Sequence, residues 1–307
     1  MECSRTDVYA LAPFVSVVVP VRNSPERIAK CIEALLEQTY PKECFETIVV
    51  DNGSTDETPD VIRKYPVKYF EESSVQSPYA ARNKAIQVAK GEIVAMIDAN
   101  CFACPQWLER GVEKMREEDA DLLGGKVAFL FLGKKKTAAE MFDSISNVKM
   151  KESIEGRGVA KGGNLFVRRK AFDAIGLFPG HIRSGADVLW TGRATRAGFK
   201  LVYSEEAEVS YPARGLWPLL RKCYRVGRGQ PNIWREEGVS SINMVKRVIR
   251  GFRPVPPAFV RGNIKKRGSE DMNRKFWRMW LVAWMCVITT NCGRIDWLVQ
   301  DWLSMIP

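Results

Sequence analysis

The chain has 307 residues, 46% hydrophobic and 27% charged, a balance that excludes a disordered polar chain and can fill the core of one large or two small domains. Its net charge of +11 is unevenly spread: between Pro212 and Arg278 stand 17 Lys/Arg and 4 Asp/Glu, a local +13 that leaves the remainder near neutral, at −2. Eight cysteines without framework spacing, together with a single histidine, exclude a disulfide scaffold and a zinc module, the lone Cys101-x-x-Cys104 included. The opening "MECSRTDVYALAPF" lacks a charged start followed by an apolar core, so no signal peptide is expected and the cysteines are expected to be reduced in the cytosol.

In chain order, "FVSVVVPV" (14–21) predicts a buried strand, a β-branched run too short for a helix. "SPERIAKCIEALLEQ" (24–38) predicts a helix capped by Ser24, with Pro25 in its first turn and Ile28, Cys31, Ile32, Leu35 and Leu36 on one face. "FETIVVD" (45–51) is a second strand, "TDETPDVIRKY" a short helix and "VKYFEE" a third strand. "SPYAARNKAIQVAKG" (77–91) predicts a helix closed by Gly91; "EIVAMID" (92–98) is a fourth strand and "PQWLERGVEKMREE" (105–118) a further helix. Strands spaced by such helices predict βαβ units and a doubly wound, mostly parallel α/β sheet.

Beyond these, "GKVAFLFLG" (125–133) reads as a strand, and "AKGGNLFVRRKAFDAIGLF" (160–178) as glycines, a strand and a short helix. "SGADVLWTGRATRAGFKLVYSEEAEVSYP" (184–212) reads as a loop, a helix, a strand and a second short strand. From Gly215 onward the pattern is helical, basic and aromatic.

Ligands of open α/β sheets sit outside the carboxyl ends of the strands. Three strands here end in polar or turn residues, at Pro20–Asn23, at Asp51 and at Asp98, which puts all three on one rim. "VSVVVPVRN", "IVVDNGSTDET", "SPYAARNKAI", "GEIVAMIDAN", "GGNLFVRRKAFDAIGLF" and "GADVLWTGRATRAGFKLVY" stand in the order seen in family-2 glycosyltransferases, and over about residues 14–212 the chain resembles them. The resemblance implies the GT-A fold, a nucleotide-binding α/β half fused to an acceptor-binding half. It implies an inverting transfer of a hexose from a UDP- or GDP-linked donor to an acceptor hydroxyl.

Carried over residue by residue, the resemblance implies a base pocket from Pro20, Val21, Arg22, Asn23 and Asp51, with Asp51 reading a uracil-like edge and Arg22 replacing a frequent aromatic. Arg82 would bond the diphosphate or hold Asp98. The family's D-x-D reads Asp98-Ala99-Asn100 here, with Asp98 and Ala99 on the donor and Asp98 and Asn100 on a divalent cation, Mn2+ or Mg2+. The family also often places a His as a further metal ligand where this chain has Tyr211, so a weakened metal site is expected, with Arg82, Arg193 and Arg214 as candidate cations in its stead. Gly162, Gly163 and Asn164 would pass beneath the donor sugar. The family's Glu-Asp pair reads Ala186-Asp187, which leaves Asp187 as the general base. For Asp51 and Asp187 the ordinary alternatives are a turn opener and a helix cap. His181 is a candidate acceptor or phosphate contact, and Trp190 a candidate acceptor platform with core packing as the alternative. The Q-x-x-R-W signature of processive relatives is missing, so single-sugar addition is expected.

The segment 275–306 carries five of the nine tryptophans: Trp277, Trp280, Trp284, Trp297 and Trp302. Only 15 uncharged residues separate Arg278 from Arg294, too few for the ~18–20 that a bilayer span needs. A tryptophan-rich segment after a basic one suits an anionic membrane surface, with packing on the rest of the chain as the alternative; no nucleic-acid module accompanies the lysines, so no nucleic-acid partner is expected.

The expected organisation is a GT-A catalytic domain at 1–212 (nucleotide-binding half 14–131, acceptor half 132–212) and a basic helical extension at 213–307. Its expected place is cytoplasmic and peripheral on the inner face of the membrane. The expected acceptor is a glycan or lipid-linked glycan of cell-surface polysaccharide synthesis. A sugar-phosphate nucleotidyltransferase and a non-catalytic nucleotide-binding scaffold are the alternatives.

Overall fold

The structure is a computed structural model that describes residues 12–303. Its strands are β1 (Val15–Val21), β2 (Phe45–Asp51), β3 (Lys68–Glu71), β4 (Ile93–Ile97), β5 (Phe102–Ala103), β6 (Leu122–Leu130), β7 (Asn164–Arg168) and β8 (Leu201–Pro212). They form one sheet in the order β3-β2-β1-β4-β7-β6-β8-β5. Interleaved with them are α1 (Pro25–Leu36), α2 (Thr58–Ile62), α3 (Pro78–Val88), α4 (Trp107–Glu117), α5 (Ala138–Ser146), α6 (Met150–Arg157), α7 (Arg169–Ile175) and α8 (Ala186–Arg196). The chain closes with α9 (Leu216–Glu236), α10 (Ser241–Arg250), α11 (Pro257–Arg267), α12 (Glu270–Arg274) and α13 (Phe276–Leu303). It divides into two compact units: 12–128 with 150–181 and 186–211, and 129–149 with 182–185 and 212–303.

In the first unit the sheet is parallel through β3, β2, β1 and β4, where β1 and β4 are buried on both faces and read as unbroken apolar runs. Beyond β4 it turns antiparallel: β7 runs against both β4 and β6. The parallel pairs bring the carboxyl ends of β1, β2 and β4 to one edge, and the reversal brings the amino end of β7 to the same edge, with Asn164 beside Ile97.

Local details depart from the sequence reading. Ser24 occupies the cap position of α1 without a side-chain cap bond; its N–H donates to Thr58 Oγ1 at 2.8 Å, tying the loop after β1 to α2. Gly91 does not close α3, which ends at Val88; a Cβ there would come within 2.4 Å of Ser16 N, so the glycine admits β1. Residues 201–212 form one strand rather than two, its exposed Glu205 and half-buried Glu208 both paired with Lys126.

In the second unit α9 and α13 lie side by side. A Cβ at Gly227 would stand 2.0 Å from Thr290 O and one at Gly293 2.2 Å from Tyr224 O, so these two glycines set the helix spacing. Met279, Ala283 and Cys286 of α13 join Met141 and Ile145 of α5 and Val260 of α11 in one apolar core.

Glu46 on β2 ties β1, β2 and β3 together. Its carboxylate accepts from Ser16 Oγ at 2.6 Å and Lys90 N at 2.8 Å and pairs with Lys68 Nζ at 2.5 Å. Burial pulls its pKa up, but the bonds to Lys68, Ser16 and Lys90 outweigh this and hold it below the usual glutamate range. A depressed carboxylate contributes stability above its unfolded pKa and loses it as pH falls through the folded one. Glu46→Gln is therefore expected to be less stable than the native protein by about 1–2 kcal/mol at pH 7. In urea unfolding across pH, the gap should narrow as pH falls below the ordinary glutamate pKa of about 4.3 and close once it passes the depressed one.

Candidate active site

Two loops at the carboxyl edge of the sheet are stitched together. Asp51 ends β2, buried, and both of its carboxylate oxygens accept from Ser54: Oδ2 from the backbone N–H at 2.9 Å and Oδ1 from the hydroxyl. The turn-opening role is thus present in the structure. Asn23, in left-handed backbone at φ 48°, donates its N–H to Ser54 Oγ and accepts from Thr55 N, each at 2.8 Å. Exposed Arg22 donates to Gly53 O at 3.3 Å. Pro20 and Val21 are buried in β1 opposite Val50 and Asp51, so only their backbone faces this edge.

The second cluster forms where β4 meets β7. Arg82 on α3 is nearly buried, its side chain 4% exposed, and its Nη2 reaches both Asp98 Oδ1 at 2.5 Å and Gly162 O at 3.3 Å. Its guanidinium lies over the ring of Tyr79, 5.3 Å from the centroid, and its Nε has no hydrogen-bond partner among the described residues. Asp98, just past β4, is 44% exposed, so the carboxylate anchored from below remains open to a ligand. A Cβ on Gly163 would come within 3.0 Å of Asp98 Oδ2 and one on Gly162 within 3.2 Å of Arg82 Cζ, so a side chain at either position would push this pair out of place by a few tenths of an ångström. Ala99 is buried between Asp98 and Asn100.

Asp187 lies in the first turn of α8, one residue inside the helix and not at its cap position. Oδ1 accepts from Tyr79 Oη at 2.8 Å and from Val188 N at 2.9 Å, and Oδ2 accepts from Gly162 N at 2.7 Å. Four lone-pair directions less these three bonds leave one on Oδ2. Gly162 thus holds both carboxylates, Asp187 through its N–H and Asp98 through its carbonyl and Arg82. Tyr79 was not among the residues singled out by sequence. It stands three residues before Arg82, on the same helix face, and that spacing is the signal that could have found it.

Other sequence candidates have different places. Asn164 is fully buried and its amide is fully used: Oδ1 accepts from Trp107 Nε1 at 2.8 Å, and Nδ2 donates to Lys126 O at 2.8 Å and Ala207 O at 2.9 Å. It ties the start of β7 to β6, β8 and α4, on the buried side of the sheet. Trp190 packs on Phe172 and Phe178 in the core and donates to Gly176 O at 2.7 Å. His181 is exposed. Arg214, in the helical unit, pairs with buried Asp143.

For a divalent cation, Asp98 and Asn100 offer one carboxylate and one amide oxygen. Asn100 Nδ2 donates to the hydroxyl of buried Tyr211 at 3.3 Å, so two of the positions that depart from the family pattern bond each other, while the amide oxygen takes a long contact from Cys101 Sγ at 3.9 Å and keeps a lone pair as an acceptor. Among the described residues no group of three His, Cys, Asp or Glu comes together as a metal cage. The pair fits Mn2+ or Mg2+ as part of a shell completed by phosphate oxygens and water, the arrangement hard octahedral cations commonly adopt. Beneath the site, Cys31 Sγ lies 3.9 Å from Asp98 O; burial, and secondarily the charge of Asp98, pushes its thiol up to about 12, so it stays protonated.

The placement of Asn164 generates a test. Asn164→Ala strands the Trp107 N–H and two carbonyls and is expected to lower stability by about 3 kcal/mol in denaturant unfolding, while the folded protein keeps its ligand affinity. Unchanged stability with lost affinity would put the side chain back in the site.

Residues 16–176 match Glycosyl transferase family 2. Over 297 residues the chain is 40% identical to glycosyltransferase AglE of Haloferax volcanii, covering 94% of this chain and 97% of that protein. Among solved structures, mannosyltransferase PcManGT of Pyrobaculum calidifontis, in complex with GDP-Man and Mn2+, superposes with a TM-score of 0.62 at 18% identity, over 94% of this chain and 88% of that one. Staphylococcus aureus TarS in complex with UDP superposes with a TM-score of 0.53, also at 18% identity, over 94% and 92% of the two chains. The parallel block with its antiparallel continuation is the GT-A fold, and the chain belongs to glycosyl transferase family 2 and is a glycosyltransferase.

Proposed function

We propose that the chain is an inverting transferase that moves a hexose from a UDP- or GDP-linked donor to a hydroxyl of a glycan or lipid-linked glycan. The observation that carries this reading is the convergence of Asp98 and Asp187 on Gly162, one on each side of a residue without a side chain. Two structures of the same fold hold GDP-Man and UDP, which supports a nucleotide-linked donor.

In this reading the base lies in the stitched loops after β1 and β2, against Asp51, Arg22 and Asn23, and the diphosphate lies beside Asp98, Ala99 and Gly163. A divalent cation held by Asp98 and Asn100 would neutralise charge on the departing diphosphate. Arg82 holds Asp98 in place and adds positive potential beneath the leaving group. The acceptor oxygen forms its bond to the anomeric carbon as the bond from that carbon to the diphosphate oxygen breaks. The acceptor proton passes to the remaining lone pair of Asp187 Oδ2, and the nucleoside diphosphate leaves on the opposite face, so configuration inverts. Tyr79 keeps the carboxylate turned toward that proton. One sugar is added per encounter.

We read the basic C-terminal unit as a peripheral attachment to an anionic membrane, on the cytoplasmic side in this reading. Among the described residues no helix is long and apolar enough to cross a bilayer.

The test is donor turnover, with a thermal-shift screen of nucleotide sugars, with and without Mn2+, to name the donor. The native protein is expected to release nucleoside diphosphate and not pyrophosphate. Asp187→Asn is expected to lose about 100-fold or more in turnover while still being stabilised by the donor. Asp98→Asn is expected to lose the donor's stabilisation as well. Native turnover in both variants would overturn the assignment.

A further inference from the structure

The helical unit leaves an apolar surface uncovered. On α10, Met244 and Val248 are buried, whereas Ile242 is 69% and Ile249 66% exposed, with Val245 exposed between them. At 100° per residue the apolar arc from Met244 round to Ile242 spans about 160°, of which the buried pair covers about 40°. A helix packed into a core buries the whole of such an arc. The far end of α13 continues the surface: Ile295, Val299 and Trp302, spaced four and three residues apart, are exposed, and with Val245, Ile249 and Phe252 they line an apolar groove of about 360 Å³. Trp277, at the start of α13, is also exposed, but two tryptophans between it and Trp302 behave differently. Trp280 and Trp284 are half-buried and stack at 6.0 Å, and the Trp280 indole donates to Val255 O at 2.7 Å.

Charge identifies the occupant. On the polar side of α10, Lys246 and Arg250, with Arg253 just beyond, make no ion pair among the described residues. Arg247 lies over the Trp234 ring, 5.2 Å from its centroid. Near the end of α13, Asp296 and Asp301 are already paired with Arg228 at 2.8 Å and Arg235 at 2.6 Å. A second copy would therefore bring cations against cations. An anionic lipid surface satisfies both features, since it takes apolar side chains into the acyl boundary and offers phosphates to the cations beside them.

We propose that the exposed face of α10, with Trp302 of α13, is a membrane-insertion surface for an anionic bilayer. Ile242, Val245, Ile249 and Trp302 enter the interfacial layer, while Lys246, Arg250 and Arg253 stay at the level of the headgroup phosphates. The inference gives a surface to the peripheral attachment read above and does not depend on the donor chemistry.

Flotation of the whole protein tests it, with phosphatidylcholine vesicles containing or lacking phosphatidylglycerol, at low salt. The native protein is expected to float with the anionic vesicles only and to be released by high salt. Ile249→Asp and, separately, the exposed pair Lys246→Gln with Arg250→Gln are each expected to lower partition about tenfold or more. Nucleotide-induced thermal stabilisation, kept in each variant, shows that the protein is folded and separates this test from the donor site. If Ile249→Asp does not fold, the charge pair still decides. Failure of the native protein to float, native-like flotation of the variants, or a dimer dissolved by Ile249→Asp would each overturn the proposal.

Discussion

The candidate site depends on one residue whose two backbone groups serve two carboxylates. Gly162 gives its N–H to Asp187 and its carbonyl to Arg82, and Arg82 carries Asp98. The sheet makes this junction available. Because β7 runs antiparallel to β4, the loop that enters β7 arrives at the edge where β4 releases Asp98. The nearly buried guanidinium has a carboxylate, a carbonyl and an aromatic face around it, which offsets much of the penalty of removing a cation from water. A side chain at Gly162 or Gly163 would press on Arg82 or Asp98, so the glycines are as much a part of the site as the charges they separate.

Much of the parallel block was legible because its strands are unbroken apolar runs and its helices are amphipathic. The antiparallel half was harder. Glu205 and Glu206 in the middle of β8 look like a turn, yet the strand runs through them with both side chains exposed, and Lys126 pairs with Glu205. No helix was assigned between 134 and 159, although α5 opens with a Thr137–Glu140 capping box that the spelling "TAAE" announces.

Site residues were legible as positions more than as roles. Asp51, Asp98 and Asp187 stand at strand and helix ends facing one edge, which their motifs imply. Asn164 could not be told from a ligand contact, because a polar residue after two glycines fits either face of a strand and only the partners of its amide show that it faces the core. Similarly, the charge of the C-terminal third is plain in the sequence, but which tryptophans face outward is decided by helix packing. Trp302 is exposed, whereas Trp280 and Trp284 are half-buried.

The central claim is that Asp98 and Asp187, joined through Gly162, face one donor from two sides. A crystal structure with an intact nucleotide sugar tests it most directly. The account predicts diphosphate density beside Asp98 and the anomeric carbon turned toward the open lone pair of Asp187 Oδ2. A nucleotide sugar bound elsewhere, or with its anomeric carbon turned away from Asp187, would contradict it.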